Sequence, residues 1–456
     1  MTERFDAIII GAGQAGPPLA GRLTSAGMTV AVVERKLVGG TCVNYGCIPT
    51  KTLVASAHAA HLARRGADFG VLAGEVSVDM AKVKARKDKI VDDDRRGVED
   101  WITGMTGCTF LRGHARFVGP KTLQIDDRTI EADRIFLNVG GRAVIPDIPG
   151  LADVDYLTNV GMLELDTVPE HLVIIGGSYI ALEFAQMYRR FGAQVTVVEK
   201  GPRLASREDE DVSAAIKDIL EAEGIAVVLG ATAMSVAKQD NGFALTPRDG
   251  ADPVVGSHLL VATGRRANTD DLGLDVAGVR TDGRGYIEVD DELRTSAEGI
   301  WAMGDCNGKG AFTHTSYNDF EIVAANLLDD DPRRVSDRVT TYALYIDPPL
   351  GRVGMTESEV RRSGRKALVG KRPMTRVGRA VEKGETQGFM KVVVDAGTHE
   401  ILGAAILGVG GDEVIHCIVD VMTAGLPYTA ISRTMHIHPT VSELVPTMLQ
   451  DLRLLE

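Results

Sequence analysis

Residues 7–10 form an unbroken apolar run at the head of the segment AIIIGAGQAG, and such a run reads as a short strand buried on both faces. Gly11, Gly13 and Gly16 follow in G-x-G-x-x-G spacing, then an apolar helix, then a second apolar run at 29–33 that ends on Glu34. The succession returns at 172–181 (LVIIGGSYIA) and 194–199 (QVTVVE), with Gly11 to Gly176 and Glu34 to Glu199 both offset by 165 residues. Between the copies, residues 53–65 are alanine-rich and favour a helix. The patterning predicts an α/β chain with two Rossmann-like dinucleotide-binding units.

Each part of the repeat has a physical task. Gly11 makes the tight turn, Gly13 admits a pyrophosphate against bare backbone, and Gly16 lets helix and strand pack closely. Free N–H groups at the helix start attract the phosphates, and Glu34 is spaced to accept hydrogen bonds from an adenosine ribose. The second copy departs from the first, with Ser178 in place of the middle glycine and Ala181 in place of the last. Two such sites suggest one bound flavin, FAD, and one exchanging nicotinamide. A carboxylate at Glu199 suits a 2′-hydroxyl and so NADH, while Lys200 and Arg203 nearby leave NADPH open.

Candidate redox chemistry lies between the copies. Residues 39–52 read GGTCVNYGCIPTKT, which sets Cys42 and Cys47 at or before the start of the alanine-rich helix. On a regular helix, five residues separate two side chains by about 140° and about 7.5 Å of rise. A disulfide cannot span that, so the first turn must be distorted, which Gly46 permits. A helix N-terminus favours the thiolate that performs exchange. The bland alternative is a pair of small buried apolar side chains.

Bulk properties narrow the field. A chain of 456 residues exceeds the size at which one core stops growing, so several domains are expected. A net charge of −13 argues against a nucleic-acid partner. Charged residues Glu3, Arg4 and Asp6 precede the first apolar run, and no run of about 18 apolar residues occurs, so a cytoplasmic protein without membrane association is expected. Five scattered cysteines do not make a secreted disulfide framework, and Cys108, Cys306 and Cys417 read as buried apolar side chains. His436 and His438 alternate, but no further ligand completes a metal set at usual spacing, so no metal site is expected.

The segment G-G-T-C-x-N-x-G-C-I-P-T-K resembles the active-site signature of the class I pyridine-nucleotide disulfide oxidoreductases, the family of lipoamide dehydrogenase, glutathione reductase and mercuric ion reductase. Residues 261–268 (VATGRRAN), 299–305 (GIWAMGD), 347–357 (DPPLGRVGMTE) and 438–443 (HPTVSE) resemble further motifs of that family. The resemblance implies an α/β fold with FAD and NAD(P) domains plus a C-terminal α+β dimerisation domain. The implied boundaries are 1–146 for FAD, 147–272 for NAD(P), 273–338 for a return to the flavin, and 339–456 for the interface. It further implies that Cys42 attacks substrate and Cys47 lies against the flavin. Lys51 would stand near the flavin and pair with Glu183, Asp305 would bind the ribityl chain, and Tyr179 would be a lid displaced by the nicotinamide. Gly40, Thr41, Ala115, Gly140, Thr313 and Gly264 complete the implied cofactor contacts. His438, oriented by Glu443, would act as acid and base toward Cys42 of the other subunit, which makes a homodimer necessary for catalysis.

Within the family, the vicinal C-terminal cysteines of mercuric reductases and large thioredoxin reductases have no counterpart, since the last cysteine is Cys417. Thr50, Pro349 and the segment 312–319 (FTHTSYND) depart from lipoamide dehydrogenases. These departures look more like the bacterial reactive-chlorine-resistance flavoproteins, a mercuric-reductase-like branch associated with reduction of metal ions, particularly Cu(II). The expected function is therefore NAD(P)H oxidation coupled, through FAD and the cysteine pair, to a metal ion or oxidant-related acceptor. The alternatives are a dihydrolipoamide dehydrogenase or other small-disulfide reductase, and a non-catalytic flavin-binding redox sensor.

Overall fold

The computed structural model describes residues 2–455 and divides the chain into two compact units. One comprises the stretch ending at Leu53, Ala81–Ile145 and Gly264–Arg338; the other comprises Val54–Met80, Pro146–Thr263 and the chain from Val339 onward.

The first unit is built on parallel strands in the order Cys108–Arg112, Val30–Glu34, Thr2–Ile10, Arg128–Leu137, with Ile300–Ala302 also pairing with Arg128–Leu137. Two antiparallel strands, Thr122–Ile125 and Ala115–Phe117, extend it. The apolar run at 7–10 is unbroken because both faces of its strand are covered. Ala7 and Ile9 pack with Leu19 and Leu23 of the helix Gly16–Ser25 on one face, and Ile8 and Ile10 with Phe117, Leu123 and Ile135 on the other.

Helix Cys47–Arg64 begins six residues before the alanine-rich stretch. Pro49 does not prevent this, because the first-turn N–H groups have no partner within a helix. A 25-residue helix, Met80–Gly104, carries i,i+4 ion pairs such as Lys84 to Asp88. No helix among the described residues is long and apolar enough to cross a membrane.

In the second unit, Ala226–Val228, Gln194–Val198, His171–Ile175 and His258–Val261 form a parallel sheet in that order. Its C-terminal part is an antiparallel sheet ordered Thr341–Leu344, Leu350–Gly354, Ile401–Leu407, Phe389–Asp395, Ala367–Pro373 and Arg453–Leu454. Lys391 is buried and its ammonium is enclosed by Asp209, Asp211 and Glu357 at 2.9, 2.7 and 2.8 Å. Those three carboxylates lie close enough together to hold a cation, and the lysine is the cation they hold.

Candidate active site

Glycines fix the first nucleotide loop. Gly11 has φ +106°, and a Cβ there would stand 2.2 Å from the Asn138 carbonyl oxygen; a Cβ on Gly16 would stand 2.4 Å from the Gly11 carbonyl oxygen. Gly176 repeats this in the second unit, with φ +118° and a Cβ position 2.4 Å from the Ala262 carbonyl oxygen. In both cases the clash partner lies just past the neighbouring parallel strand, so the repeat read from sequence is also a repeat of packing. Glu34 holds the loop through both oxygens, accepting N–H bonds from Ala12 at 2.9 Å and Lys36 at 2.8 Å.

A dinucleotide fits this end of the first sheet. Gly13 and Gly40 bring bare backbone together, a Cβ on Gly140 would meet nothing within 4 Å, and the helix Gly16–Ser25 offers its N-terminus. Beyond Glu34 lies a cavity of about 740 Å³ lined by residues that include Arg35, Lys36, His114, Arg142 and Asp270. Ala115 opens the strand next to His114 and is buried. Asp305 sits in the short turn Gly304–Asn307, where burial pushes its carboxyl up. Arg265 approaches Asp305 at 3.5 Å and donates to the Gly141 carbonyl at 2.7 Å and to Thr41 Oγ1 at 3.3 Å.

The cysteine pair spans a break. Cys42 lies in the short helix Gly40–Tyr45, Gly46 interrupts it at φ −135° and ψ −112°, and Cys47 opens the next helix. Asn44 secures the short helix by donating to the carbonyls of Val38 at 2.8 Å and Gly40 at 3.0 Å. The two thiols are in mutual hydrogen-bond contact, and Cys47 Sγ lies 3.1 Å from Thr313 Oγ1. That contact with Cys47, and then burial, push the Cys42 thiol up, against the opposing effects of Thr313 and the Lys51 charge. The helix-terminus effect expected for both thus does not govern Cys42, which precedes the break. Cys42 also lines a cavity of about 380 Å³ with Val43, Ile48, Asp93, Asp94 and Trp101.

In the second unit, Ser178 precedes and Tyr179 begins the helix Tyr179–Phe191, whose Ala181 is fully buried. Glu199 accepts the Gly201 N–H at 2.7 Å, and buried Glu183 accepts the Tyr345 N–H at 3.0 Å. Lys51 belongs to the first unit and Glu183 to the second. Gly264, at φ +137°, opens the return to the first unit. His438 and Glu443 are together: Nδ1 of the imidazole lies 2.9 Å from Glu443 Oε2, and the histidine side chain is 79% exposed.

Sequence reasoning passed over Asn44, Asn138 and the helix Met80–Gly104 that brings Asp93, Asp94 and Trp101 to the Cys42 cavity. It also passed over Glu208, a buried carboxylate that accepts from the phenols of Tyr179 at 2.6 Å and Tyr342 at 2.7 Å. Asn44 stands inside the cysteine motif and was open to notice; Glu208 lies in a run of charges that reads as solvated surface.

The chain belongs to the pyridine nucleotide-disulphide oxidoreductases: residues 5–319 match that family and residues 340–449 match its dimerisation domain. It is an enzyme of mixed α/β fold, an oxidoreductase that uses FAD and NAD(P)H. It is similar to the Escherichia coli protein named "Probable pyridine nucleotide-disulfide oxidoreductase RclA", at 36% identity over 97% of this chain and 98% of that one. The mercuric reductase of Streptomyces lividans is 35% identical over 96% of this chain and 94% of its own length. Among solved structures, the Cu(II) complex of the HOCl-induced flavoprotein disulfide reductase RclA from E. coli superposes with a TM-score of 0.90 at 34% identity, covering 99% of both chains.

Proposed function

We propose that this chain is a cytoplasmic, homodimeric NAD(P)H-dependent reductase whose acceptor is a thiophilic metal ion, Cu(II) foremost, reduced at the Cys42 and Cys47 pair. The observation that carries this is the Cys42 cavity, where Asp93 and Asp94 share the lining with the thiol. Asp94 there attracts a cation and repels an anionic disulfide such as glutathione disulfide, while Asp93 is neutralised by Lys89 and Arg96. The Cu(II) complex of the similar E. coli reductase supports the same class of acceptor.

When bound, FAD supplies the two-electron relay between nicotinamide and the cysteine pair. Gly11, Gly13, Gly16, Glu34, Gly40, Thr41, Ala115, Gly140, Asp305 and Thr313 would hold it, with Lys51 beside it. Gly176, Ser178, Tyr179, Ala181, Glu199 and Gly264 serve the nicotinamide, with Glu199 favouring NADH. Two electrons and one proton, together the hydride drawn from NADH, open the disulfide to a thiol on Cys42 and a thiolate on Cys47. Two Cu(II) ions then take one electron each, the Cys42 proton leaves, and the S–S bond re-forms. The partner subunit's His438, held by Glu443, receives that proton. Exposed Met435 and Ile437 beside His438 suit burial against a second copy.

A dihydrolipoamide or other small-disulfide reductase is the second reading, favoured by Glu199 and by the bonded pair of His438 and Glu443. Steady-state turnover of Cu(II), Hg(II), lipoamide and glutathione disulfide, each with NADH and NADPH, decides between them. Cu(II) turnover well above the others is expected, and efficient lipoamide turnover would overturn the metal reading.

A further inference from the structure

Glu208 is 2% exposed, yet only one of its oxygens is satisfied. Tyr179 and Tyr342 both donate to Oε1, while Oε2 makes no hydrogen bond. Facing it, 3.7 Å away, is Nε of buried Arg352, which with Nη2 also makes no hydrogen bond. A carboxylate and a guanidinium buried this close without bonding is an arrangement one small movement from a better one.

The surroundings say which part moves. Tyr342 and Arg352 stand directly opposite each other in the ladder between Thr341–Leu344 and Leu350–Gly354, so their side chains share a face and a fixed spacing. Next to Glu208, Asp209 is pinned by Lys391 at 2.9 Å. Tyr179, by contrast, is the first residue of its helix, at the end where a dinucleotide phosphate docks. Burial, and then the Glu208 charge, push both phenols up, so both remain donors.

We propose that Glu208 is the positioning residue of a two-tyrosine latch, which sets how readily Tyr179 leaves the nicotinamide site, with Arg352 ready to take the carboxylate as the phenol departs. This rests on the reading in which Tyr179 is displaced by the nicotinamide. In the resting state Tyr179 and Tyr342 compete for one oxygen, so each weakens the other's bond. When Tyr179 swings away, Glu208 Oε2 closes the gap to Arg352, and the loss of one bond is offset by the gain of another. The two arrangements are then close in free energy, as a lid operated by a weakly binding ligand requires.

The latch makes predictions of opposite sign for two conservative variants. Tyr179→Phe keeps the ring and removes the bond to be broken, so the apparent Kd for NADH falls about threefold to tenfold. Tyr342→Phe removes the competitor, strengthens the Tyr179 bond, and raises that Kd by about the same factor. The measurement is the NADH concentration dependence of flavin reduction in the holoenzyme by anaerobic stopped flow. Shifts of the same sign, or neither beyond about twofold, overturn the latch, because a merely structural role would move both variants one way. Should Tyr342→Phe fail to fold, the sign of the Tyr179→Phe shift alone decides. Absence of wild-type flavin reduction by either nicotinamide would remove the reading beneath the latch and the latch with it, whereas normal wild-type reduction with unshifted variants removes the latch alone.

Discussion

Cys42 and Cys47 sit on either side of Gly46, and that single interruption gives two identical side chains different environments. The contact with Cys47 and burial push the Cys42 thiol up, and Cys47 opens an 18-residue helix whose N-terminus favours a thiolate. Reduced anaerobically, the enzyme should show a long-wavelength thiolate-to-flavin absorption that Cys47→Ser abolishes and Cys42→Ser spares; the reverse pattern would exchange the two roles. His438→Gln should lower acceptor turnover by about 10²-fold or more while leaving flavin reduction by NADH near wild type, since the role proposed for it is that of a proton acceptor alone. Equal losses in both half-reactions would dismiss that role. Gly11→Ala confronts a backbone oxygen 2.2 Å from the new methyl in a left-handed conformation, so the purified variant should lack yellow colour or be insoluble. Full FAD content would show that the loop yields more easily than its packing suggests.

At the level of elements, the hinge between Gly40–Tyr45 and Cys47–Arg64 is what makes a five-residue cysteine spacing usable. A Cβ on Gly46 would press on the Thr41 carbonyl oxygen at 3.0 Å. Gly46→Ala should therefore cost about 1 kcal/mol and lower Tm by a few degrees, measured by calorimetry on the holoenzyme; an unchanged Tm would mean that Thr41 gives way freely. The need for this break was legible, because helix geometry forbids the bridge without it. Strands at 7–10 and 172–175 were legible for a similar reason: burial on both faces writes an uninterrupted apolar run. Helix Met80–Gly104 was not, since its exposed faces carry charges whose order gives no hint of the cavity they border. Glu208 and Arg352 were not either, because they are 144 residues apart and only folding makes both buried.

Across the molecule, stability should respond to pH through a network in the second unit. His58 Nδ1 bonds Asp347 at 2.9 Å, and Arg190 joins Asp347 at 2.6 Å and Glu223 at 2.7 Å. The Asp347 hydrogen bond raises the His58 pKa above its ordinary 6.5. For Asp347 burial opposes ionisation but is outweighed by His58 and Arg190, which hold its carboxyl well below the usual range. Stabilisation from His58 is therefore complete below its unfolded pKa of 6.5 and disappears as pH rises through the raised folded value. Stabilisation from Asp347 is complete above its unfolded 3.8 and fades as pH falls toward the depressed folded value. His58→Gln should thus lower Tm most near pH 5 to 6 and least at pH 9; a gap independent of pH would remove the histidine's charge from the account.

His438 stands almost fully in solvent, flanked by Met435 at 96% and Ile437 at 80% exposure. If each reaction centre draws its thiol from one copy and its imidazole from the other, two inactive variants can rescue one another. Cys42→Ser and His438→Gln, each silent alone, would on statistical subunit exchange put one intact centre into half of the dimers and return about a quarter of wild-type turnover. Genetic complementation within one cistron is the signature of a residue working in trans.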